Sequence, residues 1–167
     1  MRIYLLGYMG CGKSTIGKKL AKTLGIPFVD LDDQIEQQSG KTIVDIFEQD
    51  GEAIFRKIEQ QALHLTFKLE DAVIATGGGT ACYADNMDKM RANGVTVYIE
   101  LPAKVLADRL KNAATKRPLL KDKSEAEQMA FIEEALLVRE PYYRRACVIV
   151  NGIDLNVKTL LTSLTLP

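Results

Sequence analysis

The chain predicts a parallel α/β sheet, and three observations predict it. Short apolar runs alternate with helical stretches along the whole length, as they do in a sheet wound with crossover helices. The first run, Arg2-Ile3-Tyr4-Leu5-Leu6, passes straight into Gly7-Tyr8-Met9-Gly10-Cys11-Gly12-Lys13-Ser14, which fits the phosphate-loop pattern G-x-x-x-x-G-K-[ST]. No repeat, low-complexity run or linker interrupts the alternation, so residues 1–167 read as a single domain.

The elements follow in order. Ile16, Leu20 and Leu24 recur every four residues on one helical face, and Gly25 with Pro27 ends that helix. Pro27–Asp30 reads as a short second strand, and Asp32–Gln38 as a polar helix closing near Gly40. Thr42 to about Lys68 is helical, with a break at Asp50-Gly51. Ala72–Thr76 is a buried third strand, cut off by Gly77-Gly78-Gly79. Ala84–Ala92 is helical and closes at Asn93-Gly94, ahead of a fourth strand at Val95–Ile99. Pro102 opens a helix to about Lys111, in the first turn where its missing N–H costs little. Residues 111–123 lack a clean period, carry five cations against one anion, and read as a loop. Ser124 and Glu127 have capping-box spacing and start another helix. Ala146–Val150 is a fifth strand, and Leu155, Leu160, Leu161 and Leu164 mark a final helix.

Composition narrows the function classes. With 167 residues and 47% hydrophobic content, the chain can bury a sheet with helices on both faces. Its formal net charge is zero, so nothing global draws it to nucleic acid or an anionic membrane, and neither partner is expected. Cys11, Cys82 and Cys147 are too few and too dispersed for a disulfide framework or a zinc site; reduced thiols in a cytoplasmic protein are expected. The N-terminal apolar run is too short for a secretory core, and no segment has the length of a membrane span. The lone histidine, His64, has no partner at metal or triad spacing and reads as structural.

The chemistry gathers at four places. In the phosphate loop, backbone N–H groups at the helix start hold phosphate oxygens, Lys13 reaches the β/γ-phosphates, and the Ser14 hydroxyl ligates magnesium. At the second strand's end, Asp30 and Asp32 are two apart; in extended chain they point the same way, into the crevice at the carboxyl edge of the sheet. One suits a magnesium-supporting role and the other the orienting of an acceptor hydroxyl, while a plain helix N-cap at Asp32 or Asp33 is the alternative. Thr76 stands where a Walker-B aspartate would end the third strand, which returns the metal role to Asp30. Three successive glycines, Gly77–Gly79, suit a ligand lying against bare backbone better than a simple turn. Among the arginines, Arg56 has Glu52 four residues before it and Glu59 three after, and spacing alone makes it an exposed ion-pair ladder. Arg117 lies in the basic loop and suits a lid over phosphate; Arg139 suits either a helix end or, with a second arginine, a forked grip on a carboxylate.

These residues together resemble the shikimate kinase family. The resemblance rests on Gly7–Ser14 with Thr15, Phe28-Val29-Asp30-Leu31-Asp32, Ile46-Phe47, Asp50-Gly51-Glu52, Phe55-Arg56-Lys57-Ile58-Glu59, Thr76–Gly79, Arg117-Pro118-Leu119-Leu120, and Arg139 with Tyr142. It implies a three-layer αβα, nucleoside-monophosphate-kinase-like fold, with five parallel strands in the order 2-3-1-4-5. It implies transfer of the ATP γ-phosphoryl to the 3-hydroxyl of shikimate, with Mg2+ as cofactor, in-line and without a covalent enzyme intermediate. By matching positions, Gly10, Cys11, Gly12, Lys13, Ser14, Thr15 and Arg117 bind ATP, and Ser14 and Asp30 support the metal. Asp32, Arg56, Gly77, Gly78, Gly79 and Arg139 bind shikimate; Asp32, Lys13 and Arg117 are catalytic. The shikimate-binding segment falls at about 32–60 and the lid at about 111–123. A monomer is expected. Leu110–Ala113 and Asn151–Asp154 depart from the family pattern, so no adenine contact is assigned there or to Arg109. Two other readings stay open: another small P-loop kinase, such as a gluconate or nucleoside monophosphate kinase, and a catalytically silent relative.

Overall fold

The computed structural model describes residues 1–112 and 123–165. Arg117 and the rest of the Arg117–Leu120 segment lie outside the described residues.

Five strands form one parallel sheet in the order β2-β3-β1-β4-β5: β1 (Arg2–Leu6), β2 (Phe28–Asp30), β3 (Ala72–Ala75), β4 (Val95–Glu100) and β5 (Val148–Asn151). The helices are α1 (Lys13–Leu24), α2 (Leu31–Ser39), α3 (Ile43–Asp50), α4 (Glu52–Thr66), α5 (Asn86–Asn93), α6 (Ala103–Asn112), α7 (Glu125–Tyr143) and α8 (Val157–Thr165). Ile3–Leu6 and Ala72–Ala75 are buried at every position, on both faces of the pleat. That is the signature of a parallel sheet covered by helices on each side. Leu5 pairs with Ala75 on one side and Val97 on the other, and Asp30 pairs with Ala75. This register brings the carboxyl ends of β1, β2 and β3 to one edge.

Local chemistry sets the helix ends. Gly25 and Gly40 close α1 and α2 in the left-handed conformation. Gly51, at φ 84°, separates α3 from α4 where the sequence predicts the break. Ser124 and Glu127 bond each other's backbone in the predicted capping box. Two expectations shift. The helix expected from Ala84 begins at Asn86, because Ala84 takes a positive φ of 47°. Arg139 does not end a helix, since α7 runs on through Pro141 to Tyr143. The carbonyl that loses its partner to Pro141 belongs to Leu137, an exposed residue that water can reach.

Candidate active site

The phosphate loop wraps as its glycines permit. Gly7, Gly10 and Gly12 have φ of 141°, 80° and 98°, backbone that L side chains rarely adopt. A Cβ on Gly7 would also lie 2.8 Å from the Ile99 carbonyl oxygen. Gly12 is the N-cap of α1, and no acidic residue occupies that helix's first turn, so its amides and positive dipole end face the loop uncompensated. Lys13 is buried; its Nζ donates to Gly7 O at 2.7 Å and Tyr8 O at 3.0 Å.

Ser14 Oγ donates to Asp30 Oδ2 at 2.5 Å. The other oxygen of Asp30 accepts from the Asp32 backbone N–H at 3.1 Å and caps α2. Asp30 and Asp32 do not share an extended strand, because Asp32 already sits in the first turn of α2, and the capping aspartate is Asp30 rather than Asp32 or Asp33. Both aspartates nonetheless line one cleft of about 250 Å³ with Met9, Gly10, Gly12, Lys13, Ser14 and Thr15 of the loop and Thr76, Gly77 and Gly78 beyond β3. Thr76 is buried and donates its hydroxyl to Leu5 O at 2.9 Å, a link between strands.

The three glycines make room for neighbouring side chains. A Cβ on Gly77 would lie 2.7 Å from Glu59 Oε1, one on Gly78 3.1 Å from Arg139 Nη1, and one on Gly79 2.4 Å from Arg56 Nη2. None of the three has a positive φ, so the need is for space.

Arg56 is not the exposed ladder that spacing alone indicates. Its Nη1 pairs with Glu59 Oε2 at 2.7 Å, and Glu59 is 1% exposed; the link to Glu52, at 3.5 Å, is the solvent-facing one. Glu59 Oε1 accepts from the Thr80 hydroxyl at 2.6 Å. The charge pairing outweighs burial and raises the Arg56 pKa further. Arg139 sits over the Tyr8 ring, 5.3 Å from its centroid. Arg56 from α4 and Arg139 from α7 thus reach the same glycine segment from residues far apart in sequence. Sequence reasoning missed Glu59, Thr80 and Tyr143. Glu59 was readable as the residue paired with Arg56; nothing in the local pattern singles out the other two.

Arg109 donates to Cys11 O at 3.4 Å and Gly152 O at 3.3 Å, joining the phosphate loop to the turn after β5. His64 packs on Phe67 at 5.3 Å and meets Lys89 at 3.3 Å, as a structural residue would. Among the described residues, no helix is long and apolar enough to cross a membrane.

A phosphate loop after β1, a parallel sheet of order 2-3-1-4-5 and a carboxylate facing that loop define a P-loop kinase of nucleoside-monophosphate-kinase-like architecture. The shikimate kinase family model matches residues 9–164. The chain belongs to the shikimate kinase family, ATP-using enzymes of the shikimate pathway to aromatic amino acids. A shikimate kinase from Bacteroides fragilis is 48% identical over 146 residues, covering 87% of this chain and 82% of that protein. A crystal structure of shikimate kinase from Bacteroides thetaiotaomicron matches with a TM-score of 0.95 at 41% identity, covering 99% of each chain. A shikimate kinase from Acinetobacter baumannii, solved in complex with shikimate, matches with a TM-score of 0.85 at 35% identity over 98% of this chain and 89% of that one. The gluconate-kinase and silent-protein readings fall away.

Proposed function

We propose that this cleft moves the γ-phosphoryl group of ATP to the 3-hydroxyl of shikimate, with Asp32 as the residue that orients and deprotonates that hydroxyl. One observation carries the reading: Asp32 and the phosphate loop line the same cleft as Gly77 and Gly78, in a glycine segment whose Gly78 lies against Arg139 and whose Gly79 lies against Arg56. The complex of the Acinetobacter baumannii relative supports shikimate as the acceptor.

Lys13 and the amides of Gly10, Cys11, Gly12, Ser14 and Thr15 hold the phosphates of ATP, and helix α1 adds its positive end. Arg56 and Arg139 grip the shikimate carboxylate with forked hydrogen bonds, and Gly77–Gly79 leave room for its ring. By the family resemblance, Arg117 contributes a further cation to the phosphates. With the acceptor held by its acid group, its hydroxyl oxygen attacks the γ-phosphorus in line. The new O–P bond forms as the bond to the leaving ADP oxygen breaks, and the hydroxyl proton passes to Asp32. Positioning and charge stabilisation carry the rate, with no covalent enzyme intermediate.

The residues fit Mg2+. Ser14 Oγ and Asp30 Oδ2 are adjacent hard oxygens, and among the described residues no group of three or more His, Cys, Asp or Glu gathers as a cage. Magnesium takes most of its ligands from phosphate and water, so such a sparse protein contribution suits it. Ser14 would hold the ion and Asp30 would support it through water. Bound there, it neutralises charge on the β- and γ-phosphates.

A coupled ADP-release assay tests the acceptor atom. Shikimate gives sustained release, and its 3-deoxy analogue, which keeps the carboxylate, gives none. Equal release with both compounds would refute the assignment of the 3-hydroxyl.

A further inference from the structure

We propose that Tyr143 is a positioning residue: its buried hydroxyl holds the Gly78 carbonyl, and with it the strip of backbone that Arg139 lies against, and so seats the arginine that receives the acceptor's carboxylate. This rests on the reading of Arg139 as a carboxylate ligand.

Three observations converge. The Tyr143 side chain is fully buried, and its hydroxyl donates to Gly78 O, 65 residues away in sequence. Tyr143 lies one helical turn beyond Arg139 on α7, so the two side chains leave the same face of the helix. Gly78 and Arg139 also meet directly, since a Cβ on Gly78 would lie 3.1 Å from Arg139 Nη1. The helix that carries Arg139 therefore also supplies the hydroxyl that fixes the backbone facing its guanidinium. The ring cannot swing away, because it stacks on Tyr98 with centroids 5.0 Å apart. Burial pushes the phenol well above its ordinary pKa, so it keeps the proton it donates.

A guanidinium on a long side chain has many rotamers, and holding it in one arrangement before the acceptor arrives reduces the entropy lost on binding. Arg139 has the Tyr8 ring near it and the Gly78 backbone, which Tyr143 holds, against its Nη1. The family resemblance pairs Tyr142 with Arg139, but the tyrosine that bonds the Gly78 carbonyl is its neighbour, Tyr143.

The test is a double-mutant cycle with Tyr143→Phe and Arg139→Ala, read as separate KM and kcat values for shikimate and ATP. Tyr143→Phe keeps the ring and its stack. Its shikimate KM is expected to rise about tenfold, the size of one lost buried hydrogen bond, while the ATP KM stays within about twofold. In the Arg139→Ala background the same change has no further effect on shikimate KM. If Arg139→Ala leaves shikimate KM unchanged, the carboxylate reading itself fails. If Arg139→Ala raises it and Tyr143→Phe does not, or if the two effects add in full, the positioning role fails alone. Should the phenylalanine variant not fold, 4-aminophenylalanine at position 143 restores a donor on the same ring. It is expected to give a near-parental shikimate KM, and a value as high as that of Arg139→Ala overturns the proposal.

Discussion

Arg56 occupies the space that a side chain on Gly79 would need: a Cβ there would lie 2.4 Å from Nη2 and 2.7 Å from Nη1. Gly79 has an ordinary φ of −99°, so the backbone tolerates alanine, and the nearest atoms that its Cβ would meet belong to the Arg56 guanidinium. Gly79→Ala is therefore expected to fold normally and to push Arg56 off its place beside Glu59. Shikimate KM rises about tenfold or more, as it does in Arg56→Ala, with ATP KM unchanged. Steady-state kinetics with each substrate varied in turn checks this, and a change confined to ATP would contradict it.

Asp32 carries the proton transfer in the proposed reaction. Asp32→Asn keeps the size and a hydrogen-bonding group and removes the base, so kcat is expected to fall by about 10²–10⁴. The Kd for ATP, measured by titration calorimetry, stays at the parental value. Full turnover in the variant would remove Asp32 from the acceptor site.

Asp30 has two duties that substitution separates. It accepts from Ser14 Oγ through one oxygen and caps α2 through the other. Asparagine caps a helix as well as aspartate does, whereas alanine costs about 1 kcal/mol. Asp30→Asn is expected to keep the parental melting temperature, and Asp30→Ala to lower it. Both raise the magnesium concentration needed for half-maximal activity by about tenfold or more, the usual penalty for losing an outer-shell carboxylate. A magnesium titration that is unaltered in both variants would exclude the metal role.

Thr80 supplies the hydroxyl to Glu59 Oε1, and Glu59 is 1% exposed. Thr80→Val matches the shape and leaves that carboxylate oxygen without its donor, at a cost of about 1–3 kcal/mol. Chemical denaturation is expected to show the loss, and Thr80→Ser to recover most of it. Equal stability of the valine and serine variants would mean that the hydroxyl contributes nothing.

The thiols differ in a way that labelling can read. Burial raises the Cys147 pKa, but hydrogen bonds from Thr96 and the nearby Arg91 more than offset it, so the net value lies below the ordinary thiol range. Cys82 goes the other way, pushed up by burial, and Cys11 is buried in the phosphate loop. A lower pKa leaves more thiolate near neutral pH. Substoichiometric iodoacetamide at about pH 7.5 should therefore modify Cys147 first, with activity retained. Peptide mass spectrometry identifies the labelled residue; first labelling at Cys82 would overturn the order.

Element by element, the sheet was readable because strand and helix patterns are local. The run at β3 ends in glycines, α1 repeats every four residues, and the capping box at Ser124 marks its own helix. Arg56 shows the opposite case. Its neighbours at helical spacing are correctly Glu52 and Glu59, yet spacing cannot tell that Glu59 is buried under the glycines while Glu52 is in solvent. Asp30 and Asp32 show a third case: both reach the cleft, though the extended-chain geometry inferred for them fails because Asp30 caps a helix that begins at the next residue. Tyr143 was not legible at all, since its partner Gly78 lies 65 residues away.

By itself the sequence determined the succession of strands and helices, the phosphate loop with its three positive-φ glycines, and the chemical types needed for phosphoryl transfer. Only the tertiary structure decided which of those groups meet. Crossover helices return β1, β2 and β3 in register to one edge, and the side chains of α2, α4 and α7 converge there on a strip of backbone that has no side chains of its own. The physical reason is range: periodicity, capping and turn chemistry act over a few residues, whereas burial and convergence of charge arise from contacts between elements tens of residues apart.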